Sequence, residues 1–272
     1  MVKHEEIVDI RDIIFESIMD AKFTAQITAE REGLISGSKY AFEKLMDIGV
    51  DIEFLVADGK TVSKGDLVAK FEGNPKQITL AEEIIIGKLA KTSGIATASN
   101  KASKLGGESC KIASGAWKKM PPEIKDVVRE AIVTGGASPR LFDVPFVYLD
   151  KNYVRIFGSI SKALEATKNL EGYIKVVQLK AETGSIEYET REAVKALADV
   201  IMIDTGKIED AIKAINILKK LGVRSDKKVA FAKGVKISDI PRCREVGIDL
   251  LCIGKEIVDA PLLDMKLDIV PS

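Results

Sequence analysis

A chain of 272 residues, 46% of them hydrophobic, is long enough to bury a sizeable core and to build one barrel or two smaller domains. Its 41 lysines and arginines balance 41 aspartates and glutamates, which excludes a global field for nucleic acid or an anionic membrane, so any anion site must be local. The odd number of cysteines (Cys110, Cys243, Cys252) excludes a complete disulfide framework, and their spacing is not that of metal ligands. The opening MVKHEEIVDIRD lacks a signal-peptide stretch, and no apolar run approaches the roughly 20 residues of a membrane span. The expectation is a soluble cytoplasmic protein.

In chain order, FTAQITAE (23–30) alternates like a half-buried strand, and SGSKYAFEKLMDIG (36–49) predicts a helix opened by serine and closed by glycine. DIEFLVADGKTVSKGDLVAKFEG (51–73) predicts two antiparallel strands around the turn-rich ADGKTVSKGD. A long amphipathic helix from about Thr79 to Lys104 then turns Ile84, Ile85, Leu89 and Ile95 towards a core. Its SGIAT segment (93–97) contains Gly94, which in a helix is about 1 kcal/mol worse than alanine, so close packing or a ligand must require it.

Past Gly106-Gly107 the rhythm becomes strand-then-helix. Short apolar runs at 111–114, 146–150, 174–179, 200–204, 228–232 and 250–254 alternate with helical patterns near 123–133, 159–169, 188–198, 207–221 and 238–246. Six strands are too few for a closed eightfold barrel. The predicted class is α/β: an N-terminal α+β sandwich over 1–107, then an incomplete parallel β/α barrel over 108–272, with a doubly wound sheet as the alternative. The tail LDMKLDIVPS is a candidate to return to the first domain. In either architecture ligands sit at the carboxyl ends of the strands.

Those ends are rich in lysine: Lys118 and Lys119, Lys151, Lys180, Lys233 and Lys255, together with Asp150, Gln178, Glu182, Asp204 and Glu256. A cleft ringed by cations and a few carboxylates suits a phosphorylated substrate and a divalent metal. In AKGV (232–235) and CIGKEI (252–257), Gly234 and Gly254 follow strands and precede helices, where backbone N–H groups can reach a phosphate. TGGASPR (134–140) ends a helix and presents Arg140, a planar donor for carboxylate or phosphate. GAWKKMPP (115–122) puts Trp117 at the first strand end, either to stack on a planar ligand or to cap the barrel.

The blocks AEREGLISG, ADGKTVSKGDLVAKFEG, SGIAT, TGGASPR, VIMID and AKGV…CIGKEI, in this order over nearly the whole chain, resemble the quinolinate phosphoribosyltransferase (nicotinate-nucleotide pyrophosphorylase) family. GAWKKMPP also looks like the matching loop of the nicotinate phosphoribosyltransferases. The resemblance implies a pentosyltransferase of NAD biosynthesis type, joining a pyridine carboxylate to phosphoribosyl pyrophosphate with Mg2+ present, and a homodimer or an oligomer of dimers that share sites. It implies Lys118, Arg140 and Asp204 as catalytic, with Asp204 as the metal carboxylate; the strand-end positions, rather than the resemblance, add Trp117, Lys119, Gln178, Lys233, Gly234, Gly254 and Lys255 as substrate-binding. Trp117, Glu83, Pro139, Asp150 and Tyr153 stand where the family has cations, and Gln178 where it has a glutamate. Those losses weaken the expected grip on the two carboxylates of quinolinate by several kcal/mol. Two other readings are a catalytically altered paralogue that binds a phosphorylated or planar acidic ligand, and a barrel lyase with Lys118 or Lys180 as a Schiff-base amine.

Overall fold

In the computed structural model, which describes residues 9–270, the chain forms two units: residues 9–97 with 260–270, and residues 98–259. Residues 1–8 of the opening stretch and 271–272 of the tail lie outside the described residues. The first unit runs α1 (Ile10–Ile14), β1 (Phe23–Ala29), β2 (Gly33–Leu34), α2 (Ser38–Ile48), β3 (Asp51–Leu55), β4 (Thr61–Val62), β5 (Leu67–Gly73) and the start of α3 (Pro75–Gly106). The division falls at Thr97, inside α3, and not at Gly106-Gly107 where that helix ends.

Local chemistry sets these elements. Helix α2 is closed by Gly49 at φ 82°, whose N–H reaches the Leu45 and Met46 carbonyls. Its start differs from the expected serine cap: Gly37, at φ 96°, precedes it, and the Ser38 N–H is satisfied by Asp58 Oδ1 at 2.8 Å. On α3, Ile85, Leu89 and Ile95 are buried, but Ile84 is exposed, because consecutive helical residues point about 100° apart and only one can join the stripe. Gly94 answers to packing: a Cβ there would lie 2.1 Å from the Pro261 carbonyl oxygen. The flanking hydroxyls bind the same seam, with Leu34 N–H donating to Thr97 Oγ1 at 2.8 Å and Ser36 N–H to Ser93 Oγ at 3.0 Å.

The second unit continues with β6 (Lys111–Ala113), α4 (Pro122–Thr134), β7 (Phe146–Leu149), α5 (Lys151–Phe157), α6 (Ile160–Glu165), β8 (Ile174–Leu179) and α7 (Ile186–Lys195). It closes with β9 (Val200–Ile203), α8 (Ile208–Lys220), β10 (Lys228–Phe231), α9 (Ile240–Glu245), β11 (Leu250–Cys252) and α10 (Lys255–Val258). All six strands are parallel, in the order β6-β11-β10-β9-β8-β7. The sheet does not close: β6 and β7 are its edges, and only an isolated bridge from Ala113 to Ser138 extends it. This is the expected open β/α barrel. Ser159 and Ser185 cap α6 and α7 through their hydroxyls.

One face of the sheet packs Ala113, Tyr148, Val176, Met202, Ala230 and Cys252 into a single apolar cluster. Strand side chains alternate with period two, so two residues further along the same face come Asp150, Gln178, Asp204 and Gly254. That alternation carries the apolar interior up to a polar mouth.

The tail forms β12 (Met265–Ile269), which pairs antiparallel with β1, Ala25 opposite Ile269. The first unit's sheet is antiparallel, in the order β12-β1-β5-β3, and its core joins Ile27, Phe71, Leu45, Ile85 and Leu89. The short pair β2-β4, which no periodicity announced, joins Gly33–Leu34 to Thr61–Val62, the latter within the ADGKTVSKGD turn region.

Candidate active site

The stretch GAWKKMPP follows β6 as a single 3-10 turn over Ala116–Lys119, and Pro122 opens α4. Trp117 is half-buried: its Nε1 donates to the Pro139 carbonyl at 2.8 Å, and the Arg129 guanidinium lies 4.8 Å from its ring centroid. The indole thus fastens this loop to the segment that carries Arg140. Arg140 is exposed, 5.6 Å from the Phe146 ring centroid; Lys118 and Lys119 are exposed, with Lys118 Nζ 5.9 Å from the indole centroid.

At the ends of β8 and β9, Gln178 Nε2 donates to Asp204 Oδ2 at 2.7 Å and Lys180 Nζ donates to the same oxygen at 2.9 Å. Gln178 Oε1 accepts the Lys151 N–H at 2.8 Å, and Asp150 caps α5 by accepting from the Asn152 and Tyr153 N–H groups. Burial pushes the Cys252 thiol up to about 12, with Asp204 adding to the effect and Lys118 opposing it. Burial likewise raises Tyr148, with lesser contributions from Cys252, Asp204 and Asp150. Lys118, Cys252, Tyr148 and Asp204 therefore share one electrostatic environment.

The remaining loops complete a ring. Lys233 and Gly234 both lie at φ 74°, a region in which a lysine is uncommon, and the Lys233 carbonyl oxygen lies 2.8 Å from where a Gly206 Cβ would stand. Only glycine at 206 lets the loops after β9 and β10 meet this closely. Glu256 accepts the Ile237 N–H at 2.5 Å, which ties the loops after β10 and β11, and a Cβ at Gly254 would stand 3.2 Å from the Ala116 Cβ after β6. Arg155 of α5 donates to Glu182, in the loop after β8, at 2.7 Å. Beside this pair lies a cavity of about 280 Å³, lined by Lys151, Arg155, Gln178, Lys180 and Thr183 among others. Among the described residues, Lys118, Lys119, Arg140, Lys233 and Lys255 form no ion pair with any carboxylate.

Glu83 belongs to α3 in the first unit, where it pairs with Arg11. Among the described residues no three His, Cys, Asp or Glu side chains converge on a metal position. Asp204, the expected metal carboxylate, is engaged through Oδ2 by an ammonium and an amide.

Two residues that position this site were missed from the sequence. Glu189 is only 2% exposed, and its carboxylate accepts the Lys180, Ala181 and Thr183 N–H groups at 2.8–3.1 Å and the Thr183 hydroxyl at 3.0 Å. Its signal was an acid on the buried face of an amphipathic helix, in step with Ile186, Thr190 and Ala193. Gly206 left no signal, since its partner is 27 residues away in sequence.

The family model for the quinolinate phosphoribosyl transferase N-terminal domain matches residues 12–93, and that for its C-terminal domain matches residues 95–268. The "Probable nicotinate-nucleotide pyrophosphorylase (carboxylating)" of Methanothermobacter thermautotrophicus is 24% identical over 268 residues, covering 96% of this chain and 94% of that protein. The nicotinate-nucleotide pyrophosphorylase (carboxylating) of Rattus norvegicus is 24% identical over 269 residues, covering 95% and 86%. In fold, the crystal structure of nicotinate-nucleotide pyrophosphorylase from Ehrlichia chaffeensis superposes with a TM-score of 0.80 at 21% identity, covering 95% of this chain and 92% of that one. With one unit an antiparallel sheet domain and the other an open parallel barrel, and with the two family models matching residues 12–93 and 95–268, the chain belongs to the quinolinate phosphoribosyltransferase family.

Proposed function

We propose that this protein transfers the phosphoribosyl group of phosphoribosyl pyrophosphate to the ring nitrogen of a pyridine-type carboxylate, in a reaction of NAD biosynthesis type. The nitrogen forms a bond to the anomeric carbon as the bond from that carbon to the diphosphate oxygen breaks, and the diphosphate leaves with the electron pair. The observation that carries this reading is the set of five unpaired cations on loops that touch in sequence around the barrel mouth. A phosphorylated ligand supplies the counter-charge that they lack.

In this reading Lys233, Gly234, Gly254 and Lys255 hold phosphate on the loops after β10 and β11. Lys118, Lys119 and Arg140 face the acceptor carboxylate and the leaving diphosphate, stabilising charge as it develops. Trp117 holds their two segments together through Pro139. A magnesium ion bound to the diphosphate would add charge neutralisation there, beside what Lys118, Lys233 and Lys255 themselves supply. The reading as a Schiff-base lyase is less well supported, since that chemistry needs a desolvated neutral amine; Lys118 is exposed and Lys180 is ion-paired.

Incubation with phosphoribosyl pyrophosphate and a panel of pyridine carboxylates should release diphosphate with at least one acceptor, and silence across the panel would sink the transferase reading. Lys118→Ala should lower turnover by roughly 100-fold with little change in phosphate affinity, whereas Lys233→Ala should weaken phosphate binding about tenfold. Calorimetry and steady-state kinetics on both variants separate the two roles; unchanged phosphate affinity in the Lys233 variant would remove the proposed grip.

We also place the enzyme in the cytoplasm, where its three free cysteines stay reduced. A homodimer is part of the same reading, favoured by the exposed Ile10, Ile13, Ile14, Phe42 and Met46 of the first unit. Light scattering at micromolar concentration should give the mass of two chains.

A further inference from the structure

A carboxylate at the mouth of this barrel repels any phosphate that enters, and a bridging divalent cation is the common remedy. Asp204 directly follows β9, a central strand, and already has a different counter-charge. Lys180 Nζ lies 2.9 Å from its Oδ2 and 3.5 Å from its backbone carbonyl oxygen, and the two side chains are only 18% and 19% exposed. The lysine is held there from behind: its own N–H donates to Glu189, the buried carboxylate that also fixes Ala181 and Thr183. Gln178, at a position where the resemblance places a glutamate, is an amide that donates to the same Asp204 oxygen at 2.7 Å. The pair of acids that could share a metal is thereby reduced to one acid with two fixed donors.

We propose that Lys180 is a built-in cation that replaces a divalent metal at Asp204, so that this site takes a diphosphate ligand without metal. This rests on the reading above that a diphosphate enters the barrel mouth. With Asp204 neutralised from within, the unpaired lysines act on the ligand unopposed. Without Lys180, the bare carboxylate weakens a diphosphate by about tenfold or more until a metal bridges the two.

The test is calorimetry on the full chain with inorganic pyrophosphate, in EDTA and in magnesium. The wild type should show dissociation constants within about threefold of each other in the two buffers. Lys180→Met should bind about tenfold more weakly in EDTA and recover in magnesium, and Lys180→Arg should keep the wild-type pattern. Wild-type binding that appears only with magnesium overturns the proposal and leaves the transferase reading intact. Binding in neither buffer overturns both. If circular dichroism shows that Lys180→Met is unfolded, the wild type and Lys180→Arg decide: metal dependence in either one overturns the proposal.

Discussion

Gly94→Ala is expected to destabilise the protein by about 2 kcal/mol, although alanine is the better helix former by about 1 kcal/mol. The added methyl group would stand 2.1 Å from the Pro261 carbonyl oxygen, with the Leu262 Cα at 3.3 Å. Both are backbone atoms, so no rotamer change can relieve the contact. The chain from Pro261 leads directly into β12, which hydrogen-bonds along β1 from Ala25 to Ala29. Relief must come from moving that segment and loosening the edge of the sheet. Urea denaturation should show a lower midpoint, and amide exchange should show protection lost first in β12; a midpoint equal to or above wild type would contradict the packing account of SGIAT.

Glu189→Ala should have the larger effect, a loss of about 3 kcal/mol with severely impaired diphosphate binding. The carboxylate accepts four hydrogen bonds from one short loop, and each donor that loses its partner must find water or remain unpaired. Ala181 stands at φ 57° in that loop, a conformation rare for alanine, with its N–H donating to Glu189 at 2.9 Å. Glu189→Gln should be nearly as harmful, because both carboxylate oxygens are in use and an amide would turn its NH2 towards existing N–H donors. Denaturant melts with pyrophosphate titrations on both variants test this. A glutamine variant with wild-type stability and affinity would show that Glu189 only fills space.

The reach of the sequence can be traced element by element. The strands β6 to β11 were legible because buried parallel strands are short, nearly continuous apolar runs, and the helices between them show the helical period and capping residues. The strand-end lysines and glycines followed from that count, because the chemistry of such folds lies at one end of the sheet. The short helices α1 and α5 escaped: five and seven residues are too few to establish a period, and α1 buries none of its residues.

The amino-acid sequence by itself determined the class of fold, the order of its layers and which residues stand at the barrel mouth, because period, capping and turn chemistry act over a few residues at a time. Only the tertiary structure decided what those residues do to one another: that Trp117 is fastened to Pro139, that Gly94 makes room for Pro261, that Glu189 holds the loop of Lys180, and that Asp204 is neutralised by that lysine. Each of these is a contact between segments that folding brings together. A hydrogen bond or a 2–3 Å approach depends on where two distant backbones end up, which no local pattern encodes.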